Sequence, residues 1–287
     1  MKGKALAFGA GTVVNAIATG LGAAFGLALW TKAEVTLLNE PRFFEAKIIN
    51  DPSENTALML TTVRHVLNRF GLGQEYGARI ITDSNIPISR GLKSSSVAAN
   101  AVALATIAAL REDLDDLDII SLGVDASLEA KVTITGAFDD ACASYFGGFV
   151  VTDNEKRILL RRQKVEENLA VMVHVPVRKY PTIESNVKRI KAMKNYVTYV
   201  FELAKKGNYK TAITLNGLIY SAALGFDTEA TVRALEAGAV SAGLTGKGPA
   251  TVALCPRDIC SDIEASWSEL GGEIICTEFN NEKAKVI

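Results

Sequence analysis

Apolar and polar positions follow two different periods along this chain, and the changes of period mark its elements. Val13–Ala16 and Ala33–Leu38 are β-type runs, and Phe44–Ile49 continues the every-second-residue alternation of a half-covered strand. The period then lengthens: Leu58, Leu60, Val63, Val66, Leu67 and Phe70 place apolar side chains at helical spacing over Thr56–Phe70. Gly71 and Gly73 end that helix, since glycine accepts the left-handed conformation that closes a C-terminus. Ala78–Thr82 reads as a short strand, with Asp83, Ser84, Asn85 and Pro87 as the turn after it. Ser94–Leu110 is rich in alanine and poor in branched residues, which predicts a helix. Asp115–Val132 predicts another, its early acidic residues suited to the positive end of the dipole. Gly147–Val151 and Ile158–Leu160 predict a hairpin about Asp153 and Asn154.

A second module follows. Ala170–Val175 is a β-rich run closed by Pro176, and helical stretches are predicted over Ile183–Lys205, Tyr209–Ala223 and Thr228–Gly238. After them come a glycine-broken strand pair (Val240–Thr245 and Ala250–Leu254), a helix at Asp258–Leu270 and a strand at Glu273–Glu278. Strands and helices mixed without regular β-α alternation predict an α+β fold. The polar stretch Lys156–Asn168 is the expected seam, giving an N-terminal domain over 1–160 and a C-terminal domain over 161–287.

Composition narrows the partners. With 287 residues, 48% hydrophobic and 22% charged, the chain can bury two ordinary cores. A net charge of −1 provides no global field for nucleic acid or an acidic membrane, so small molecules are the expected partners. Lys188, Arg189, Lys191 and Lys194 read as a solvated helix face. Cys142, Cys255, Cys260 and Cys276 form no CxxC, and His65 and His174 stand apart from them, which argues against zinc and fits a reducing cytoplasm. The run Ala5–Thr31 carries no charge and follows Lys2 and Lys4, as a signal or membrane segment would. Five glycines (Gly9, Gly11, Gly20, Gly22, Gly26) and the polar Thr12, Asn15 and Thr19 interrupt it, so a strand, a glycine-rich turn and a strand are expected.

The most informative chemistry lies in Pro87-Ile-Ser89-Arg90-Gly91-Leu92-Lys93-Ser94-Ser95-Ser96, between a strand and the alanine-rich helix. A helix start presents unpaired N–H groups and a positive dipole end, which together cradle anions. Gly91 permits close approach of backbone to ligand, the serines add hydroxyls, and Lys93 adds a point charge for phosphate. A serine N-cap after an ordinary turn explains the same residues. The Walker pattern is absent: Lys93-Ser94 follows leucine and Gly246-Lys247 precedes glycine. Two further segments matter. Thr135–Gly148 holds Asp139 and Asp140 between glycines, a pair able to orient a hydroxyl or accept its proton, or to cap a helix. Ala242–Pro249 is a turn carrying Gly246 and Gly248 beside a strand.

In order, these segments resemble the GHMP kinases. That family's middle motif runs Pro-x-x-x-Gly-Leu-Gly-Ser-Ser, matched by Pro87–Ser95 with Lys93 where glycine is usual; its Gly-x-Gly-Pro loop is similar to Gly246–Pro249. Ala10–Gly20, with Thr12 and Asn15, and the Gly136–Gly148 run most resemble the archaeal shikimate kinases among them. The resemblance implies an N-terminal domain like ribosomal protein S5 domain 2, a ferredoxin-like C-terminal domain, and ATP bound between them with Mg²⁺. By the same resemblance, Asp140, eight positions before Gly148, is catalytic, and Glu129, eleven before Asp140, binds Mg²⁺ together with Ser95. Pro87, Ser89, Arg90, Gly91, Leu92, Lys93, Ser94, Ser95 and Ser96 become the ATP loop, and Thr12, Asn15, Asp139, Gly246 and Gly248 substrate-side residues. The family's N-terminal lysine has no match. The implied substrate, shikimate, carries a carboxylate, for which Arg178 or Lys179 is the expected cation. Homoserine or mevalonate as substrate, or nucleotide binding without catalysis, are the alternatives.

Overall fold

The structure, a computed structural model, describes residues 1–87, 91–165, 168–177 and 187–287. The first part runs β1 (Lys2–Val14), a 3₁₀ turn at Ala16–Ala18, β2 (Leu21–Leu38), β3 (Phe44–Ile48), α1 (Ala57–Arg69), β4 (Gly77–Ser84), α2 (Ser94–Leu110), α3 (Asp116–Glu129), α4 (Phe138–Phe146), β5 (Phe149–Asp153) and β6 (Ile158–Gln163). The second runs β7 (Leu169–Val175), α5 (Val187–Ala192), α6 (Lys194–Lys205), α7 (Tyr209–Leu224), α8 (Glu229–Glu236), β8 (Ser241–Leu244), β9 (Thr251–Pro256), α9 (Cys260–Ser268), β10 (Glu273–Glu278) and β11 (Lys285–Val286).

The uncharged run Ala5–Thr31 is most of the antiparallel hairpin β1–β2, registered from Lys2 opposite Thr36 to Val14 opposite Ala23. The last six residues of β1 are all buried, so both faces of the strand are covered; alternation disappears and no charge is tolerated. Among the described residues no helix is long and apolar enough to cross a membrane. α2 lies directly on this hairpin. A Cβ at Gly3 would stand 2.2 Å from the Ala105 carbonyl oxygen, so the glycine and the small residues of α2 set the helix-to-sheet distance.

The large sheet is ordered β11-β1-β2-β4-β3, with β5 pairing β2 and β6. The smaller one is ordered β10-β7-β9-β8, antiparallel throughout, with helices between its first and second and its third and fourth strands. That is the βαββαβ ferredoxin-like arrangement, and the whole is the expected α+β architecture. α6 and α7 pack against β1, and α7, which also packs on β8, joins the two sheets.

Three features differ from expectation. α4 forms where only carboxyls between glycines were legible: all nine of its residues are buried, so no amphipathic period marks it. The helix expected over Ile183–Lys205 is broken at Met193 into α5 and α6 within its described part, residues 183–186 lying outside the described residues. The expected division after residue 160 runs through β6. The tail also returns to the large sheet, with Val286 opposite Ala5 and Phe279 bridged to Leu27.

Candidate active site

Two of the polar residues that interrupt the N-terminal apolar run, Thr12 and Asn15, are spent holding a loop of the other part. Thr12 N–H donates to Thr245 Oγ1 at 3.1 Å, and Gly246 N–H donates back to Thr12 Oγ1 at 2.9 Å. Asn15 Nδ2 donates to the Gly246 carbonyl at 2.9 Å, while its backbone N–H donates to Asn216 Oδ1 at 3.0 Å. Tyr220 donates its hydroxyl to the Asn15 carbonyl at 2.8 Å and accepts from Ala18 N–H at 3.2 Å. The Gly246–Pro249 loop is thereby fixed against the end of β1. Thr12→Val leaves a buried Gly246 N–H unpaired, and a lower denaturant midpoint is expected, equivalent to about 1–3 kcal/mol, with an unchanged slope.

The anion loop packs on the same clasp. Gly91 has φ +89°, and a Cβ there would stand 2.5 Å from the Thr245 carbonyl oxygen, so glycine is required on both grounds. Lys93 takes φ +65° just before α2, the conformation that favours the glycine expected at this place by resemblance. Ser94, Ser95 and Ser96 form the first turn of α2 and face a cavity, as do Gly91 and Lys93. Leu92 is core, Pro87 does not line the cavity, and Ser89 and Arg90 lie outside the described residues.

Opposite stands the first turn of α4. Asn100 of α2 donates from Nδ2 to the Ala141 carbonyl at 2.9 Å, tying the two helices together. Successive residues on a helix point about 100° apart, so Asp139 and Asp140 find different partners. Lys93 Nζ reaches Asp140 Oδ2 at 2.7 Å, the two side chains only 12% and 6% exposed. The second oxygen of Asp140, Oδ1, is buried and has no hydrogen-bond partner among the described residues. Asp139 Oδ1 accepts from Asn154 Nδ2 at 2.7 Å, and Asn154 Oδ1 accepts from Thr152 Oγ1 at 2.7 Å.

Burial first, and then the charge of Asp140, push the Asp139 carboxyl up to about 7; Lys93 and the Asn154 amide pull the other way without prevailing. Between its ordinary carboxylate value and about 7 the folded state therefore binds a proton that the unfolded state has lost, and stability falls as pH rises through that window. Asp139→Asn, which keeps the acceptor for Asn154, is expected to match wild-type stability near pH 4 and to exceed it increasingly up to about pH 7. Denaturant melts at a series of pH values read this directly.

The cavity has a volume of about 610 Å³. Ile48, Leu58 and Met59 make one end apolar, with Thr82 and Ser84 beside them; Asn15, Asp139, Asp140, Gly246, Lys247 and Gly248 line the other. Glu129 is not brought here. It ends α3, is 64% exposed and pairs with His65 Nε2 at 2.7 Å, so the magnesium role implied for it is corrected: its carboxylate is engaged by His65 and does not line the cavity. Among the described residues no three His, Cys, Asp or Glu side chains are grouped to hold a metal by themselves. Arg178 and Lys179 lie outside the described residues. Sequence reasoning missed Asn100, Asn154, Asn216, Tyr220 and Lys247, because each is an isolated polar residue within a helix, turn or loop whose surroundings only the fold assembles. It also assigned Lys93 to phosphate, where the structure pairs it with Asp140.

This fold and this pairing of a serine-rich helix start with a buried carboxylate define a class of protein. A family model for the GHMP kinases N-terminal domain matches residues 57–148. A shikimate kinase of Methanosarcina acetivorans is 47% identical over 99% of this chain and 96% of its own. A shikimate kinase of Methanothermobacter thermautotrophicus is 41% identical over 97% and 96%. Among solved structures, the homoserine kinase of Cytophaga hutchinsonii aligns with a TM-score of 0.76 at 19% identity, over 100% of this chain and 97% of that one. The mevalonate kinase of Methanococcus jannaschii aligns at 0.74 and 15% identity, over 98% of each. The chain belongs to the GHMP kinase family and is an ATP-dependent kinase.

Proposed function

We propose that this enzyme transfers the γ-phosphoryl group of ATP to a ring hydroxyl of shikimate, giving shikimate 3-phosphate. The single observation that carries the mechanism is the buried Asp140 carboxylate, one oxygen held by Lys93 and the other, at the cavity, without a partner among the described residues. The near full-length likeness to shikimate kinases supports the choice of acceptor.

Phosphoryl transfer through a loose transition state asks chiefly for positioning and charge neutralisation. The N–H groups and hydroxyls of Ser94–Ser96, at the positive end of α2, receive the phosphates, and the apolar end at Ile48, Leu58 and Met59 receives the adenine. Asp140 Oδ1 accepts the hydrogen of the attacking hydroxyl and so aims its oxygen at phosphorus. The oxygen–phosphorus bond forms as the bridging bond breaks, ADP leaves with that bond's electron pair, and the hydroxyl proton passes to Asp140. The Lys93 ammonium fixes the carboxylate in the required rotamer, a task for which the N-terminal motif has no lysine.

Magnesium fits the donors present. Ser95 offers a hard oxygen at the cavity, and Mg²⁺ is commonly held by few protein groups together with phosphates and water. When bound it neutralises phosphate charge. An ADP-release assay with shikimate, homoserine and mevalonate, each with ATP and Mg²⁺, tests the proposal. Turnover on shikimate at least a hundredfold above the others in kcat/KM is expected; preference for either alternative sinks it.

A further inference from the structure

An acid acceptor needs a cation within the cavity as well as a carboxylate for its hydroxyl. Three described lysines line the cavity. Lys93 is engaged by Asp140, and Lys131 is exposed where α3 ends. Lys247 is different. It is half-buried between Gly246 and Gly248 and forms no hydrogen bond or ion pair with any described residue. Its root is rigid, because Thr12 and Asn15 hold the Gly246 backbone from both sides. The loop also lies against the catalytic pair: a Cβ at Gly246 would stand 3.3 Å from Lys93 Nζ.

A half-buried ammonium with a second ammonium as neighbour is costly unless an anion joins it. Consistently, loss of water and the charge of Lys93 lower its proton affinity, and Asp140 only partly restores it. The phosphates already have their own donors in the first turn of α2. We infer that Lys247 binds the carboxylate of the acceptor while Asp140 holds its hydroxyl, so that one small acid spans two groups of opposite charge. The inference rests on shikimate as acceptor and names the residue that selects it.

The test compares shikimate with its methyl ester as acceptors for wild type, Lys247→Met and Lys247→Arg, with ATP affinity measured in parallel. Wild type is expected to prefer the acid strongly. Lys247→Met raises KM for shikimate tenfold or more, brings the acid-to-ester ratio of kcat/KM close to one, and leaves the ATP KM within twofold; Lys247→Arg retains part of the preference. Lys247→Gln, read by the same ratio, serves if the methionine variant does not fold. An unchanged ratio in folded variants overturns the inference, and so does a rise in the ATP KM in place of the shikimate KM, which would assign Lys247 to phosphate. Wild type inactive on shikimate overturns the choice of acceptor itself, a result distinguishable from either.

Discussion

Asp140→Asn is expected to lower kcat by about a thousandfold, the range in which loss of a positioned proton acceptor falls, while ATP binding is nearly retained. The amide has the size of the carboxyl and can still occupy the first turn of α4. It cannot take the hydroxyl proton, and it presents no charge to Lys93. Steady-state kinetics with shikimate, beside ATP binding measured by thermal shift, separate the loss of chemistry from the loss of a site. Near wild-type turnover in a folded Asp140→Asn protein would remove Asp140 from the reaction.

The second large effect is at Lys93. Lys93→Met leaves the Asp140 carboxylate buried without its counter-ion, a change that costs about 3–5 kcal/mol when one partner of a buried pair is removed. A drop in kcat of about a hundredfold accompanies it, because the carboxylate loses the contact that fixes its rotamer. Lys93→Gly separates charge from backbone. Glycine relieves a left-handed conformation worth roughly 1–2 kcal/mol, so this variant is expected to be more stable than Lys93→Met yet as slow. Coupling closes the test: in an Asp140→Asn background, Lys93→Met should cost little further activity. Additive losses in that double-mutant cycle would mean that Lys93 acts elsewhere.

Much of the fold was legible. The alanine-rich helix Ser94–Leu110 was expected with the bounds it has, since alanine content raises helix propensity whatever the surroundings. The turn chemistry of Asp153 and Asn154 likewise marked the β5–β6 hairpin. α4 was hidden because burial on every side erases its period, and the break at Met193 because α5 and α6 carry similar local signals. Gly246–Pro249 was visible as a glycine-rich loop. That Thr12 and Asn15 hold it across more than two hundred residues of sequence was not, since no local pattern encodes a distant hydrogen-bond partner.

The chain by itself determined which side chains exist for phosphoryl transfer: a helix start with three serines, two adjacent carboxyls and a glycine-rich loop, in an order that resembles one kinase family. Local propensity and composition suffice for that, because each motif is contiguous. Only the tertiary structure decided how they are used. It paired Lys93 with Asp140, gave Asp139 to Asn154, left Lys247 facing the cavity without a partner among the described residues, and moved Glu129 away to His65. Those outcomes depend on the direction of each side chain and on burial, which raises the cost of an unpaired charge and so selects its partner. The lysine in the place of a glycine is legible as a departure in the sequence; its reason is an ion pair that forms only when α2 and α4 meet.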